Sequence, residues 1–336
     1  MNVIIPMAGR GSRLRPHTLT VPKPLVPVGG KPIVHRLVED IAAVCAEKIE
    51  KIAFVVGDFG AEVEKELLEV AASLGAVGSI HYQNQPLGTG HAVLCAAEML
   101  DGPVVVAFAD TLFKADFKIS KEDEGILWVK QIEDPSAFGV IKMNDNNEII
   151  DFVEKPKDFV SDLAMIGIYY FKDGARLHKE LNYLVDNNVL KSGEYQLPDA
   201  LRRMTESGYV FKPGEVSEWL DCGNKEVTVY TNQRVLDYDL AKGIEMIHSS
   251  ALIVNSTIIP PCYIGEDTVI KNSVIGPHVS IGKGTHIESS VIKNTNIQLD
   301  SHIENAVISN SMIGSKVVYK AAPQDLSIGD FSTLNA

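Results

Sequence analysis

The sequence predicts an α/β domain with a mainly parallel mixed sheet, followed by a short left-handed parallel β-helix. Two observations carry that expectation. Up to about residue 238, short apolar runs alternate with stretches of helical periodicity, and from Ile253 onward isoleucines recur every five or six residues. The first texture is that of strands and helices taking turns, which buries a parallel sheet between helical layers. The second is the hexapeptide signature of a solenoid.

In chain order, Val3 to Ile5, Ile52 to Val56, Val104 to Ala107 and Tyr209 to Lys212 read as strands. Ile33 to Ala46, Ala61 to Leu74 and Ala92 to Leu100 read as helices. In the second of these, Val63, Leu67, Val70, Ala71 and Leu74 keep a 3.6-residue period. Val227 to Leu240 reads as a further helix, a candidate linker. The repeat then runs through Ile253, Ile258, Ile264, Ile270, Ile275, Ile281, Ile287, Ile292, Ile297, Ile303, Ile308 and Ile313. Three steps add to about seventeen residues, with turn formers between them, as in Ile264-Gly265-Glu266-Asp267. Each isoleucine is expected to point inward from one flat side of a triangular coil, and roughly four coils fit. Ordinary antiparallel strands keep no such period. The expected domains are 1–240 and 250–320, with a patternless tail at 321–336.

With 336 residues there is room for a large core and a second, smaller domain. A net charge of -13 argues against a nucleic-acid backbone or an anionic membrane as partner. Cys45, Cys95, Cys222 and Cys262 lie far apart, which suits reduced thiols better than a disulfide scaffold or a zinc site. There is no basic region with an apolar stretch of signal-peptide length before Val3, and no apolar run nears the ~18 to 20 residues that span a bilayer. A cytoplasmic protein is expected.

Directly after the first strand comes Ala8-Gly9-Arg10-Gly11-Ser12-Arg13. A glycine-rich loop there is where an α/β sheet binds phosphates, because backbone N–H groups can turn toward the anion. No Gly-Lys-Ser/Thr follows, and Leu14 occupies the third glycine position of a dinucleotide fingerprint. The glycines alone leave phosphate binding and a plain surface turn both open. Arg10, Arg13, Arg15 and Lys23 then concentrate positive charge within fourteen positions of an acidic chain. Prolines at 16, 22, 24 and 27 stiffen the segment, and Lys23 between two of them is expected to be extended.

Here a resemblance becomes specific. Ala8-Gly9-Arg10-Gly11-Ser12-Arg13-Leu14-Arg15-Pro16, then Pro22-Lys23-Pro24-Leu25 and Lys31-Pro32, resembles the signature of the sugar-1-phosphate nucleotidylyltransferases, with Ser12 where threonine is usual. Ala8 is similar to the uridylyltransferase branch. The resemblance implies a Rossmann-like nucleotidyltransferase domain, with Ala8, Gly9 and Gly11 at the nucleotide.

Six further segments join it. Gln83-Asn84-Gln85-Pro86-Leu87-Gly88-Thr89-Gly90-His91-Ala92 resembles the family's base-recognition segment. That implies nucleotide binding by Gln83, Gly88 and Thr89. An amide that donates to one group and accepts from another matches the edge of uracil or thymine. The form with His91 is most similar to uridylyltransferases acting on N-acetylglucosamine 1-phosphate, and His91 itself reads as a helix-start residue. The apolar run Val104 to Ala107 leads to Asp110, at the sheet's C-terminal edge where ligands sit, although a turn cap would look the same. By resemblance Asp110 binds Mg²⁺, and Asp221 in Trp219-Leu220-Asp221-Cys222-Gly223 supplies the second ligand. Phe138-Gly139-Val140-Ile141 and Phe152-Val153-Glu154-Lys155-Pro156 resemble the sugar-phosphate segments, which implies Gly139, Glu154 and Lys155 there. Gly193-Glu194-Tyr195-Gln196-Leu197-Pro198-Asp199-Ala200 also resembles a family segment, with Pro198 where threonine is common, and is given no role beyond structure.

The implied reaction joins a nucleoside triphosphate, UTP or dTTP, to a sugar 1-phosphate of glucose or N-acetylglucosamine type. An NDP-sugar and pyrophosphate are the products. Arg13 would clamp the leaving phosphates and Lys23 the α-phosphate. One alternative is a catalytically silent, nucleotide-binding regulatory subunit. Another is a bifunctional enzyme with an acetyltransferase in the β-helix. The repeat is short, and His278, His286 and His302 sit at turn-like places without an evident partner, which favours oligomerisation or regulation. A homo-oligomer through the β-helix is expected, since its edge coils need covering.

Overall fold

A computed structural model describes the chain except Arg10, Ala46, Lys155, Lys157, Pro323 and residues 334–336, with Glu154 described by its backbone alone. In chain order the first elements are β1 (Asn2–Pro6), two-residue strands β2 (Pro27–Val28) and β3 (Lys31–Pro32), α1 (Ile33–Val44), β4 (Lys51–Val56), α2 (Ala61–Ser73), β5 (Val77–Tyr82) and α3 (Thr89–Leu94). Then come β6 (Val104–Ala107), β7 (Thr111–Lys114), β8 (Gly125–Gln131), β9 (Gly139–Met143), β10 (Ile149–Glu154) and β11 (Leu163–Phe171). They are followed by α4 (Gly174–Asp186), α5 (Leu197–Glu206), β12 (Phe211–Glu215), β13 (Glu218–Asp221) and α6 (Lys225–Ala241). The chain divides into two compact units, Met1–Val26 with Lys31–Asn224, and Pro27–Gly30 with Lys225–Ala336. The helix read as a linker thus belongs to the second unit.

The first unit holds a nine-stranded sheet in the order β5-β4-β1-β6-β11-β8-β12-β10-β9. β5, β4, β1 and β6 run parallel. β11 turns antiparallel against β6, and β12 runs parallel to β8. Val3 to Ile5, Ile52 to Val56 and Val104 to Ala107 have no exposed surface, as strands covered on both faces should. α1 buries Ile33, Val34, Leu37, Val38, Ile41 and Val44, the spacing that turns one apolar face toward the sheet. The helix expected over Ala92 to Leu100 differs. It starts earlier, at Thr89, ends at Leu94, and gives way to a 3₁₀ turn at Ala97–Met99. Gly88, with φ of 109°, lets the chain enter the helix three residues early, and Ala96, with ψ of 37°, leaves the helical basin.

The second unit is a parallel β-helix with α6. Its ladders place Ile253, Ile270, Ile287 and Ile303 in one stack, Ile258, Ile275, Ile292 and Ile308 in a second, and Ile264, Ile281, Ile297 and Ile313 in a third. Three inward stacks make a three-sided coil, whose circumference is seventeen residues in the first coils and sixteen in the later ones. The corners need left-handed backbone, which Asn255, Asn272 and Asn305 adopt with φ between 47° and 56°. Asparagine tolerates that region and bonds along the stack, Asn255 Nδ2 donating to Asn272 Oδ1 at 2.7 Å. Asn232 of α6 is fully buried, and its Oδ1 accepts from the Gly29 N–H at 2.8 Å and the Ser280 hydroxyl at 2.7 Å. Asn296 donates to the Pro27 carbonyl at 2.6 Å. Pro27–Gly30 is therefore tied to the coil by buried polar contacts.

The coil histidines differ from expectation. His286 and His302 begin strands and stack with ring centroids 6.1 Å apart, and His278 lies 2.7 Å from Asp237. Parallel register brings residues one coil apart face to face, which a linear repeat does not reveal.

Candidate active site

The C-terminal ends of β1, β5 and β6 open onto a cavity of about 400 Å³ in the first unit. Ala8, Gly9, Gly11, Ser12, Arg13 and Lys23 line one side, Gln83, Gly88 and Thr89 another, and Phe108, Ala109 and Asp110 a third. The Gly9 loop, Gln83 and the Phe108 segment converge because each follows a strand of the same parallel half of the sheet.

The loop is built around two different glycines. A Cβ at Gly9 would meet nothing within 4 Å, so the residue keeps the cavity clear rather than satisfying a packing demand. Gly11 has φ of 58°, and a Cβ there would stand 2.9 Å from the Lys23 Cβ. Gly11 therefore lets Lys23 approach. Leu14 anchors the loop in the core. Lys23 to Leu25 form a 3₁₀ turn rather than an extended run. Its hydrogen bonds run from Leu25 N–H to Pro22 O and from Val26 N–H to Lys23 O, so neither needs the donor that Pro24 lacks.

Lys23 is 7% exposed, and its Nζ lies 3.0 Å from Asp110 Oδ2. Asp221 joins them through the β7/β13 ladder. Asp221 pairs with Thr111, the neighbour of Asp110, and the Cys222 N–H donates to the Asp110 carbonyl at 3.0 Å. A Cβ on Gly223 would lie 2.9 Å from Asp221 Oδ2, so a larger residue would displace that carboxylate. Burial raises the Asp221 pKa, and the Asp110 charge raises it further, while Lys23, Arg13 and the Gly223 N–H pull it down. Two mutually repelling carboxylates with Lys23 beside them form a hard oxygen donor set of the kind a divalent cation shared with phosphates takes. Among the described residues no cluster of three or more His, Cys, Asp or Glu could hold a metal alone.

On the base side, Gln83 Nε2 lies 3.0 Å from the Gly88 carbonyl and 3.2 Å from His91 Nδ1. The Thr89 hydroxyl donates to Gln196 Oε1 at 3.1 Å and accepts from the Leu197 N–H at 2.9 Å, tying this loop to the start of α5. A Cβ on Gly88 would stand 2.5 Å from the Tyr195 carbonyl, and its φ of 109° admits glycine alone. Glu194, which the sequence reading left without a role, lines the cavity. Its sequence signal was only the family-like segment from Gly193 that contains it. Gly139 opens β9 opposite Glu154 and is not among the residues lining the cavity. Arg10, Lys155 and the Glu154 side chain lie outside the described residues.

The nucleotidyl transferase family model matches residues 2–237. The chain is similar to the bifunctional protein GlmU of Methanococcus maripaludis, at 31% identity over 77% of this chain and 60% of that protein. It is also similar to a glucose-1-phosphate thymidylyltransferase of Streptomyces antibioticus, at 28% identity over 79% of this chain and 78% of that protein. A solved structure of UDP-glucose pyrophosphorylase complexed with UDP-glucose matches with a TM-score of 0.58 and 25% identity, covering 70% of this chain and 98% of that one. The chain thus spans about 60% of the length of the GlmU relative. With the signature loop, the ladder-joined aspartates and this breadth of similarity, the chain is a member of the nucleotidyl transferase family, among its sugar-1-phosphate nucleotidylyltransferases.

Proposed function

We propose that the protein forms an NDP-sugar and pyrophosphate from UTP or dTTP and a sugar 1-phosphate of glucose or N-acetylglucosamine type. The observation that carries this reading is the Lys23–Asp110 contact at 3.0 Å, in the wall of a cavity that Gly9 and Gly11 also line, with Asp221 brought beside Asp110 by the β7/β13 ladder. A sugar-phosphate oxygen attacks the nucleotide α-phosphorus as the bond to the β-phosphate oxygen breaks and pyrophosphate leaves. The attacking oxygen is already anionic, so no general base is required. Lys23 holds charge at the α-phosphate, and Arg13 presents its guanidinium fork to the departing β,γ-phosphates. Asp110 and Asp221 would hold Mg²⁺, which neutralises phosphate charge and aligns the two reactants. Ala8, Gly9 and Gly11 shape the phosphate cradle. Gln83, Gly88 and Thr89 form the base side, and Gly139, Glu154 and Lys155 the sugar-phosphate side.

A matrix of nucleoside triphosphates against sugar 1-phosphates, read by pyrophosphate release, tests this. Release that requires both substrates is expected, strongest for UTP or dTTP. A protein that binds nucleotide without releasing pyrophosphate under any pairing would instead be the silent regulatory form.

Among the described residues no helix is long and apolar enough to cross a membrane. Thiols at Cys45, Cys95 and Cys262 favour the reducing cytoplasm as the site of action. We place self-association on the coil, where Val274, Val291 and Val307 form an outward column, 37%, 47% and 87% exposed. Val307→Asp is expected to lower the sedimenting mass of the full chain with its fold retained. An unchanged mass would place the interface elsewhere.

A further inference from the structure

A second cavity, of about 180 Å³, lies in the first unit and takes no part in the chemistry above. It opens at the other edge of the sheet. Met1, which precedes β1, and Pro103, which precedes β6, line it. Met7 and Phe108, beyond the far ends of the same strands, line the reaction cavity. Strands of that length hold the two sites on the order of 15 Å apart.

One buried group gives this cavity a chemical preference. Tyr170, near the end of β11, lines it and is 4% exposed, and among the described residues its hydroxyl has no hydrogen-bond partner. The polar atoms that are sealed without a partner lie elsewhere, on Trp128, Trp219, Asn232, Asn294 and Gln298. The Tyr170 oxygen is therefore neither satisfied nor sealed, and the space it meets is this cavity. Burial first, and the charges of Glu47 and Asp123 after it, raise the phenol pKa, so the group stays protonated and can donate.

The other polar groups on the wall also have hydrogens to give. Ser120 Oγ accepts from the Glu122 N–H at 3.2 Å, which leaves its own hydroxyl hydrogen free to donate. The Glu47 carboxylate is already paired with Lys121 at 3.2 Å, and Asp123 has Lys212 at 3.6 Å. Lys172 lines the cavity and has no ion pair among the described residues. Free donors thus face a space whose carboxylate is taken, while Met1, Pro103 and Ile119 supply apolar surface. The volume is that of about six liquid waters, enough for one small ring with a charged group.

The geometry points to a binding site for a small organic anion, a carboxylate or a monophosphate. Its oxygens take the Tyr170 hydroxyl and the Lys172 ammonium, and its apolar body rests on Met1, Pro103 and Ile119. The site stands apart from nucleotidyl transfer and does not depend on that reading.

The test titrates the whole chain, with tyrosines labelled by carbon-13 at Cζ, against benzoate, phenyl phosphate and the neutral benzamide. Tyr170→Phe assigns the Tyr170 signal by its loss. A saturable shift of that signal is expected with at least one of the two anions, the tighter of which names the head group. Benzamide should bind at least about tenfold more weakly, as suits a charge-assisted contact. Ligand-observed titrations then compare the variants. Tyr170→Phe should raise the Kd of the anion about tenfold, the worth of roughly one hydrogen bond. Lys172→Gln should remove most of the preference for the anion over benzamide. Saturating UTP should leave the Kd unchanged, because the two cavities sit at opposite ends of the strands. Any of four results would overturn the inference: no saturable Tyr170 shift with either anion, an unchanged Kd in folded Tyr170→Phe, benzamide binding as well as the anions, or displacement of the probe by UTP. A second measurement needs no ligand. Removing an unpartnered hydroxyl should leave Tyr170→Phe melting no lower than wild type, and a clearly lower melting temperature would show that the hydroxyl already has a partner.

Discussion

Lys23→Ala is expected to lower turnover by roughly 10² to 10³-fold, the loss typical when one preorganised charge stabiliser is removed from an enclosed site. The magnitude follows from where the ammonium stands. Lys23 is 7% exposed, Gly11 gives it room to approach, and its partner Asp110 has a side chain 42% exposed. A partly water-covered carboxylate tolerates losing its lysine, so the variant should stay folded. The effect should appear in kcat more than in the KM for nucleotide, because charge at the α-phosphate grows as the bond to the leaving group breaks. Steady-state pyrophosphate release checks it, with a thermal melt to show the fold is kept. Wild-type turnover in Lys23→Ala would remove the residue from the mechanism.

Asp221→Asn is expected to cost activity on a similar scale, roughly 10² to 10³-fold, and yet to stabilise the protein near neutral pH. The second half follows from the raised pKa. Burial first, and the Asp110 charge second, make the Asp221 carboxylate harder to ionise in the folded chain than in the unfolded one. The folded state therefore holds the proton more tightly. Its stability falls as pH rises from the ordinary value of 3.8 through the raised folded value, and the ionised carboxylate is a net cost above that window. Asparagine keeps the shape and removes the charge. Melting curves should place the variant above wild type at neutral pH, with the gap narrowing as the pH is lowered toward 3.8. Mg²⁺ with nucleotide should raise the wild-type melting temperature more than that of the variant, since only what binds the folded state stabilises it. A variant less stable than wild type at neutral pH would contradict the electrostatic account of this pair.

Stability and activity thus pull in opposite directions at Asp221. The Asp110 charge opposes ionisation of Asp221, and Lys23 beside them offsets part of that repulsion.

Much of this was legible in the chain. Gly9, Gly11, Arg13 and Lys23 fall within one short segment, so their meeting at one cavity could be anticipated from the sequence. The coil was legible because an inward isoleucine on every flat side is a one-dimensional signal. The meeting of Asp110 and Asp221 was not. It depends on the pairing of Asp221 with Thr111, a long-range register that local pattern does not encode. Glu194 was missed for the same reason, since the segment Glu194 to Leu197 reaches the cavity by bonding the Gly88 loop. The early start of α3 hid in the φ of Gly88, and the stacked coil histidines hid in the pairing of successive turns.

The most direct measurement is phosphorus NMR of a reaction holding UTP or dTTP, a sugar 1-phosphate and Mg²⁺, run beside Lys23→Ala. The account predicts that the sugar-phosphate signal converts into a diphosphate-linked pair as pyrophosphate appears one for one, with the variant nearly silent. Orthophosphate in place of pyrophosphate, or an unchanged sugar-phosphate signal, would contradict it.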